Sequence, residues 1–190
     1  HLEGGGSPDD EYVVRKVRRV NEGCAAMNAN IESQAARWLD AGRIVGLVGG
    51  DHSTPYGLIR ALGARHAEFG ILHIDAHCDL RDAYEGFEFS HASIMFNVRI
   101  AQVGVRDFSE GEAALAASSE RIATFDDLSL AAARFRGETW DEQCRRIVGT
   151  LPREVYVSFD IDGLTFENCP HTGTPVSGGL TFNEAVWLLA

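Results

Sequence analysis

FGILHIDAHCD (69–79) is the stretch that decides the fold of this chain. It begins as a short run of apolar residues and ends in alternating acids and imidazoles. An uninterrupted apolar run of this length is typical of a strand buried on both faces, as in a parallel sheet. The same order of residues returns in EVYVSFDID (154–162). With IVGLVGG (44–50), RIAQVGV (99–105) and RIATF (121–125), the sequence predicts five strands.

Helical patterns separate these apolar runs. Apolar residues recur every three or four positions over 11–41, which predicts one or two helices that end at Gly42. Further helical stretches are 55–67, 110–118 and 138–149. Strands that alternate with helices favour a parallel sheet covered on both faces. We therefore predict an α/β fold, a three-layer α/β/α sandwich with a mainly parallel sheet.

The chain of 190 residues is expected to form one domain over 11–190. Residues 1–10, with three consecutive glycines, are expected to be disordered or left over from cloning. The last ten residues, 181–190, lie inside a helical pattern, so we expect the C-terminal part of the domain to be absent. At Val98 and Arg99 a helical run meets a strand with no turn between them, and we expect residues to be missing there.

Composition excludes several classes of protein. The net charge of −11 argues against a nucleic-acid or anionic-membrane binder, and 45% hydrophobic residues indicate a globular protein. The four cysteines lie far apart and do not resemble a disulfide framework. No run of about 18 apolar residues is present. We therefore expect a cytoplasmic protein with reduced thiols.

Three segments place acids and imidazoles at the ends of predicted strands: GGDHS (49–53), HIDAHCD (73–79) and SFDIDG (158–163). Ligands of open parallel sheets bind outside the carboxyl ends of the strands. Several carboxylates buried there require a compensating cation, and alternate residues of an extended segment share one face. We therefore predict a metal site. Its candidate ligands are His52, Asp75, His77, Asp79, Asp160 and Asp162.

The number of candidate ligands bears on the metal. Six are too many for one tetrahedral zinc ion and suit two ions that share carboxylates. An oxygen-rich set with two imidazoles favours Mn²⁺ over Zn²⁺, although Cys78 beside His77 leaves zinc open. The alternatives are a one-metal site and a relic that no longer binds metal.

The segments GGDHS, DAHCD (75–79) and SFDIDGL (158–164), followed by TGTPVSGGLT (172–181), resemble the ureohydrolase family of arginases, agmatinases and formimidoylglutamases. The resemblance runs from about Gly46 to Leu180 and implies the arginase/deacetylase fold. It implies two Mn²⁺ ions that share two bridging aspartates. By this resemblance His52, Asp75, Asp79 and Asp160 hold one ion, and Asp75, His77, Asp160 and Asp162 hold the other.

The resemblance also implies a reaction. A water between two metal ions has a pKa lowered towards ~7. The resulting hydroxide, oriented by Asp79, attacks the guanidino carbon, and the intermediate collapses to urea and an amine. His91 occupies the family's proton-shuttle position. The carboxylate that grips the guanidinium in this family would lie beyond Ala190, and family members commonly form trimers or hexamers.

Two motifs disagree about the substrate. The loop DLRDAYEGFEFSHAS (79–93) looks most like that of agmatinases, with Tyr84 and Glu85 as candidate substrate contacts. Arg81 stands where arginases usually have Asn. However, VGVRDF (103–108) resembles an arginase strand, which makes Asp107 a candidate contact for a substrate amino group.

Several functions remain open at this point. We predict hydrolysis of an agmatine-like compound, with arginase, guanidinobutyrase or formimidoylglutamase activity as alternatives. A two-metal phosphoesterase is disfavoured because the usual order of DxH, GDxxD and GNH motifs is missing. A non-catalytic relative of the family is a further alternative.

Overall fold

A computed structural model describes residues 10–93, 95 and 99–190, which form two compact units. The first unit holds residues 10–65 and 81–93, and the second holds 66–80, 95 and 99–190. Residues 1–9 of the segment expected to be disordered, and Val98 at the proposed gap, lie outside the described residues. The single domain over 11–190 therefore stays a prediction.

The first unit is built on two helices, α1 (Glu11–Asp40) and α2 (Tyr56–Gly63). The pattern over 11–41 forms one helix of 30 residues, capped by Asp10, whose carboxylate accepts a hydrogen bond from the Tyr12 N–H. α1 and α2 pack so closely that a Cβ at Gly57 would lie 2.5 Å from the carbonyl oxygen of Asn28. The first unit therefore depends on a glycine at this crossing.

The strand predicted over 44–50 is wrong. Residues 43–49 have no regular structure, and the side chains of Ile44 and Val48 are fully exposed. Gly46, Gly49 and Gly50 interrupt this run. Glycine is depleted in strands because it loses much backbone entropy and offers no side chain to pack. Apolar composition alone was therefore a poor guide here.

The second unit contains a parallel sheet of β1 (Gly70–Ile74), β2 (Arg99–Val103), β3 (Ile122–Phe125) and β4 (Val155–Phe159). Their order is β3-β2-β1-β4, and every pairing is parallel. In the register of the central strand, Leu72 lies opposite Ala101 on one side and Val157 on the other. The other four predicted strands are confirmed.

Four helices accompany this sheet: α3 (Glu110–Ser118), α4 (Asp127–Phe135), α5 (Trp140–Val148) and α6 (Phe182–Leu189). α3 and α5 were expected from the sequence, whereas α4 was not. Ser109, Thr139 and Thr181 each begin a helix with a capping box, in which the hydroxyl and the third helical residue's carboxylate satisfy free backbone N–H groups. Single 3-10 turns occur at Tyr84–Gly86, His91–Ser93 and Ile161–Gly163.

Helices pack on both faces of the sheet. One face contributes Leu72 and Ala101 to a core that α4, α5 and α6 complete with Leu130, Ile147 and Leu188. On the opposite face, alternate residues such as Thr124 lie near α3 and line a cavity of about 320 Å³. The predicted α/β fold with a parallel sheet is confirmed. All four cysteines are free, and none of the described helices has the length and apolar character needed to cross a membrane.

Candidate metal centre

The carboxyl ends of β1 and β4 lie side by side and carry the acids of two predicted segments. Ile74 and Phe159 are register partners at the ends of these strands. Pairing continues one residue further, because the Asp160 N–H donates to the Ile74 carbonyl oxygen at 2.9 Å. Acids that follow neighbouring parallel strands are therefore brought to the same edge of the sheet.

Three of the predicted ligands meet at this edge, namely Asp75, His77 and Asp162, which we call the strand-end cluster. The Nδ1 atom of His77 lies 3.3 Å from Asp75 Oδ1 and 3.3 Å from Asp162 Oδ2. The two aspartates are 1% and 3% exposed, whereas the His77 side chain is 24% exposed. Two buried carboxylates thus face one imidazole that solvent can reach.

The imidazole of His77 offsets part of the charge of the strand-end cluster. Hydrogen bonds to Asp162, and then to Asp75, raise the pKa of His77 to about 10 against the opposing effect of burial. His77 therefore carries a proton at neutral pH and supplies the positive charge that two buried carboxylates require. A divalent cation would serve the same purpose, so the residues present fit a metal ion.

One backbone N–H and one hydroxyl hold the Asp162 carboxylate in place. Its carboxylate accepts hydrogen bonds from the Ala76 N–H at 3.2 Å and from the Thr174 hydroxyl at 3.1 Å. Next to it, a Cβ at Gly163 would lie 2.8 Å from the backbone nitrogen of Asp75. The two strand ends can therefore approach only because residue 163 is glycine.

Arg106 binds the backbone of the same region. Its guanidinium donates to the carbonyl oxygens of Gly104, Asp162, Leu164 and Val176, with the shortest contact of 2.7 Å to Asp162. Burial lowers the pKa of Arg106, and the carboxylates of nearby aspartates oppose this change. One side chain thus joins the end of β2 to the segment after β4.

A second set of ligand atoms in this unit comes from His73, Asp75 and Asp79, which we call the inner group. These atoms lie within 4.8 Å of one another, and all three residues are buried. The backbone of Asp79 has a φ of 54°, a left-handed conformation that is uncommon for residues other than glycine. Such conformations occur where the surrounding structure fixes a functional residue.

Asp160 and Asp107 have different surroundings. The Asp160 carboxylate accepts a hydrogen bond from the Asp162 N–H at 3.1 Å and caps the turn Ile161–Gly163. Within the described part of the chain, it belongs to neither group of potential ligand atoms. Asp107 is 63% exposed, and its carboxylate lies 3.9 Å from His77 Nε2. It is therefore accessible to a solute that approaches the strand-end cluster.

The first unit brings together two other predicted site residues around Asp51. Burial alone would raise the pKa of the Asp51 carboxyl, but hydrogen bonds from Ser53 hold it below its usual value. The nearby imidazoles of His91 and His52 lower it further. His52 is half-buried, and His91 is exposed. Their roles at a metal centre remain predictions.

The proposed substrate loop also belongs to the first unit. The Arg81 guanidinium lies over the Tyr84 ring, 4.4 Å from its centre, in a cation–π contact. Glu85 is exposed and has a left-handed φ of 54°. The Asn21 side chain donates to the Gly86 carbonyl oxygen at 2.9 Å and so attaches the loop to α1. The roles of Tyr84 and Glu85 as substrate contacts remain predictions.

Three residues that organise these groups were not predicted from the sequence: Asp51, Gln102 and Arg106. Gln102 is fully buried within β2 and contacts both His73 and the Cys78 carbonyl oxygen. A polar residue in the middle of the apolar run RIAQVGV was the available signal. Arg106, in VGVRDF, gave a similar signal as a charge directly after a buried strand.

The sequence of this chain matches a known protein family. The family model described as the Arginase family matches residues 10–190. The N(1)-aminopropylagmatine ureohydrolase of Thermus thermophilus is 35% identical over 164 residues, which are 84% of this chain and 53% of that protein. The agmatinase of Cronobacter sakazakii is 33% identical over 175 residues, with coverage of 86% and 52%.

Solved structures agree on the fold. The arginase of Bacillus cereus matches with a TM-score of 0.73 at 20% identity, covering 90% of this chain and 65% of that one. The agmatine ureohydrolase of Thermoplasma volcanium also gives 0.73, at 23% identity and coverage of 87% and 56%. The chain spans about half the length of the curated relatives it matches. Because the family model covers almost the whole sequence, this chain belongs to the arginase family.

Proposed function

We propose that this chain contributes the metal centre of a hydrolase that cleaves a linear guanidino compound, similar to agmatine, into urea and an amine. The observation that carries this proposal is the strand-end cluster, in which two buried carboxylates flank one imidazole. Relatives named agmatinase and N(1)-aminopropylagmatine ureohydrolase support a guanidino substrate. A negatively charged centre also suits a cationic guanidinium.

The cofactor that we propose is a pair of Mn²⁺ ions. Carboxylate oxygens with a minority of imidazoles are a donor set that suits Mn²⁺. The residues that would hold the ions are His52, Asp75, His77, Asp79, Asp160 and Asp162. When bound, two such ions lower the pKa of a water towards ~7 and so supply a nucleophile at neutral pH.

The remaining chemistry falls to side chains of this chain. Asp79, a buried carboxylate in a constrained backbone conformation, would orient the attacking water by accepting a hydrogen bond from it. The exposed imidazole of His91 would carry a proton to the departing amine, since imidazoles exchange protons readily near neutral pH. Tyr84 and Glu85 would contact the substrate from the loop that Asn21 holds.

A second candidate is hydrolysis of arginine itself, and Asp107 is the observation that favours it. Its exposed carboxylate, 3.9 Å from His77 Nε2, would receive the α-amino group of an amino acid. Agmatine lacks the α-carboxylate of arginine, so the two substrates differ in the charge that the entrance must accept. Cytoplasmic location and assembly into trimers or hexamers remain predictions beside both candidates.

The proposal is tested by urea release from the full chain, first stripped of metal and then loaded with Mn²⁺. Agmatine, N(1)-aminopropylagmatine, arginine and guanidinobutyrate form the panel, with formamide release from formimidoylglutamate measured in parallel. We expect Mn²⁺-dependent urea release, greatest with agmatine or its aminopropyl derivative. Asp162→Asn should abolish it, whereas Asp141→Asn, which removes only an exposed ion pair with Arg145, should not.

The alternatives predict different results from the same panel. Preference for arginine, lost in Asp107→Asn, would favour the second candidate. Tight Mn²⁺ binding without release of urea or formamide from any compound would favour a non-catalytic relative. Equal activity of the metal-free and Mn²⁺-loaded protein would contradict the proposed cofactor.

A further inference from the structure

His73 lies in the middle of a chain of hydrogen bonds that leads from the exposed residue Thr124 to the metal centre proposed above. Its Nε2 atom is 2.9 Å from Asp75 Oδ2, and its Nδ1 atom is 3.3 Å from Gln102 Nε2. The oxygen of the Gln102 amide is 3.3 Å from the hydroxyl of Thr124. His73 and Gln102 are both completely buried. The chain therefore runs across three strands of the sheet, from β3 to the carboxylate after β1.

The carbonyl oxygen of Cys78 fixes the orientation of the Gln102 amide. It lies 2.5 Å from Gln102 Nε2, and a carbonyl oxygen only accepts hydrogen bonds. Gln102 must therefore present its NH₂ group there, which also leaves its oxygen to accept from Thr124. The second N–H of the same amide is then available to His73 Nδ1.

This orientation determines which nitrogen of His73 carries the proton. Since Nδ1 faces a donor, it must provide a lone pair, and the proton lies on Nε2. The Nε2–H group then donates to Asp75 Oδ2. Although its atoms lie among those of the inner group, an imidazole with Nδ1 occupied and Nε2 protonated has no lone pair for a metal ion.

We propose that His73 is a positioning residue and not a metal ligand: with Gln102, it holds the carboxylate of Asp75 in the orientation that the metal centre needs. Both oxygens of Asp75 are then directed, Oδ2 by His73 and Oδ1 by the His77 N–H at 2.6 Å. Gln102 also holds the Cys78 carbonyl, so it fixes the segment between His77 and Asp79. This role rests on the proposed function. Groups that orient a ligand in this way typically contribute a factor of about 10 to 100 in metal affinity.

The first test reads the tautomer directly. Two-bond ¹H–¹⁵N spectra of the histidines in the metal-free full chain distinguish an Nε2–H from an Nδ1–H imidazole, and His73→Gln assigns the signal. We expect the Nε2–H form, and we expect Gln102→Glu to shift the proton to Nδ1 because a carboxylate accepts where the amide donated. An Nδ1–H form in the unaltered protein would overturn the proposal.

The second test measures Mn²⁺ affinity and stoichiometry from the electron paramagnetic resonance signal of free Mn²⁺. Gln102→Leu, and separately His73→Gln, should weaken binding by about 10- to 100-fold with unchanged stoichiometry. The double variant should bind Mn²⁺ no more weakly than the single variant with the lower affinity. The reason is that His73 and Gln102 act through one chain of hydrogen bonds. Gln143→Leu is the matched control, because Gln143 is equally buried but donates to the Leu130 carbonyl oxygen instead.

The outcomes separate this proposal from the proposed function. Loss of one Mn²⁺ equivalent in His73→Gln, or an unchanged affinity in Gln102→Leu, would overturn the positioning role alone. Absence of Mn²⁺ binding by the unaltered protein would overturn the proposed function, and the positioning role with it. The tautomer measurement does not depend on Gln102→Leu, so it decides the structural part if that variant is unstable.

Discussion

Arg106→Met tests whether one guanidinium holds the segment after β4 against the end of β2. Methionine keeps an unbranched apolar stem and removes the donors. The donors reach the carbonyl oxygens of Gly104, Asp162, Leu164 and Val176. No other change to the sheet is introduced, so the effect reports on these contacts.

The size of the effect follows from the number of carbonyls and from their access to water. A hydrogen bond with a charged donor contributes about 1.5–3 kcal/mol to net stability. In Arg106→Met the four carbonyl oxygens lose their hydrogen bonds to the guanidinium. Because Arg106 is only half-buried, we expect water to replace about half of these bonds. The free energy of unfolding should therefore fall by about 3–6 kcal/mol. Arg106→Lys should recover less than half of this loss, because one ammonium cannot span four carbonyls.

The assay is equilibrium unfolding in urea, followed by circular dichroism, with the free energy extrapolated to zero denaturant. Arg145→Met is the matched control, since the Arg145 side chain is 79% exposed and pairs with Asp141 across one helical turn. We expect the control to cost about 0.5 kcal/mol or less. If the losses in unfolding free energy caused by Arg106→Met and Arg145→Met differ by less than about 1 kcal/mol, the Arg106 guanidinium does not hold these two segments together.

Three further predictions follow from close contacts and charge. Gly163→Ala forces a Cβ to 2.8 Å from the Asp75 nitrogen, so Mn²⁺ binding measured by calorimetry should weaken by about 10- to 100-fold, and unchanged binding would contradict this geometry. Gly57→Ala should destabilise the protein by about 1–3 kcal/mol. Gly23→Ala, whose Cβ meets nothing within 4 Å, should stabilise it by about 0.5–1 kcal/mol. Thermal unfolding that ranks the two variants in the opposite order would refute the tight crossing of α1 and α2. With a pKa of about 10, His77 must release a proton to bind a metal. Mn²⁺ affinity should therefore rise about tenfold per pH unit between about pH 6.5 and 8.5. An affinity that does not change with pH would exclude His77 as a ligand.

The strands next to the metal centre could be predicted because their sequences indicate both that the strand is buried and where it ends. In β1 and β4 an apolar run gives way abruptly to acids, and the structure ends each strand at that change. The run over 44–50 lacks this information. Its residue types are usually buried in proteins, but three glycines offer no side chain to pack. Ile44 and Val48 are therefore left exposed. A hydrophobic pattern reports the preference of a side chain and not the partner that satisfies it.

The candidate site shows a similar division. Alternation along an extended segment correctly indicated that Asp75 and His77 lie together, and the structure adds Asp162. The same rule grouped Asp160 with Asp162, but β4 ends before these residues and the chain enters a 3-10 turn. The Asp160 carboxylate then caps that turn by accepting from the Asp162 N–H. Competition from a local backbone donor cannot be read from residue spacing.

The hydrogen bonds of the strand-end cluster have a consequence for the order of events at the proposed centre. Donors from Ala76, His77 and Thr174 offset part of the cost of burying the carboxylates of Asp75 and Asp162. These oriented carboxylates attract cations. The first cations to benefit from this attraction would be the divalent ions of the proposed centre. The attraction that a guanidinium substrate experiences then depends on the charge that remains after these ions bind.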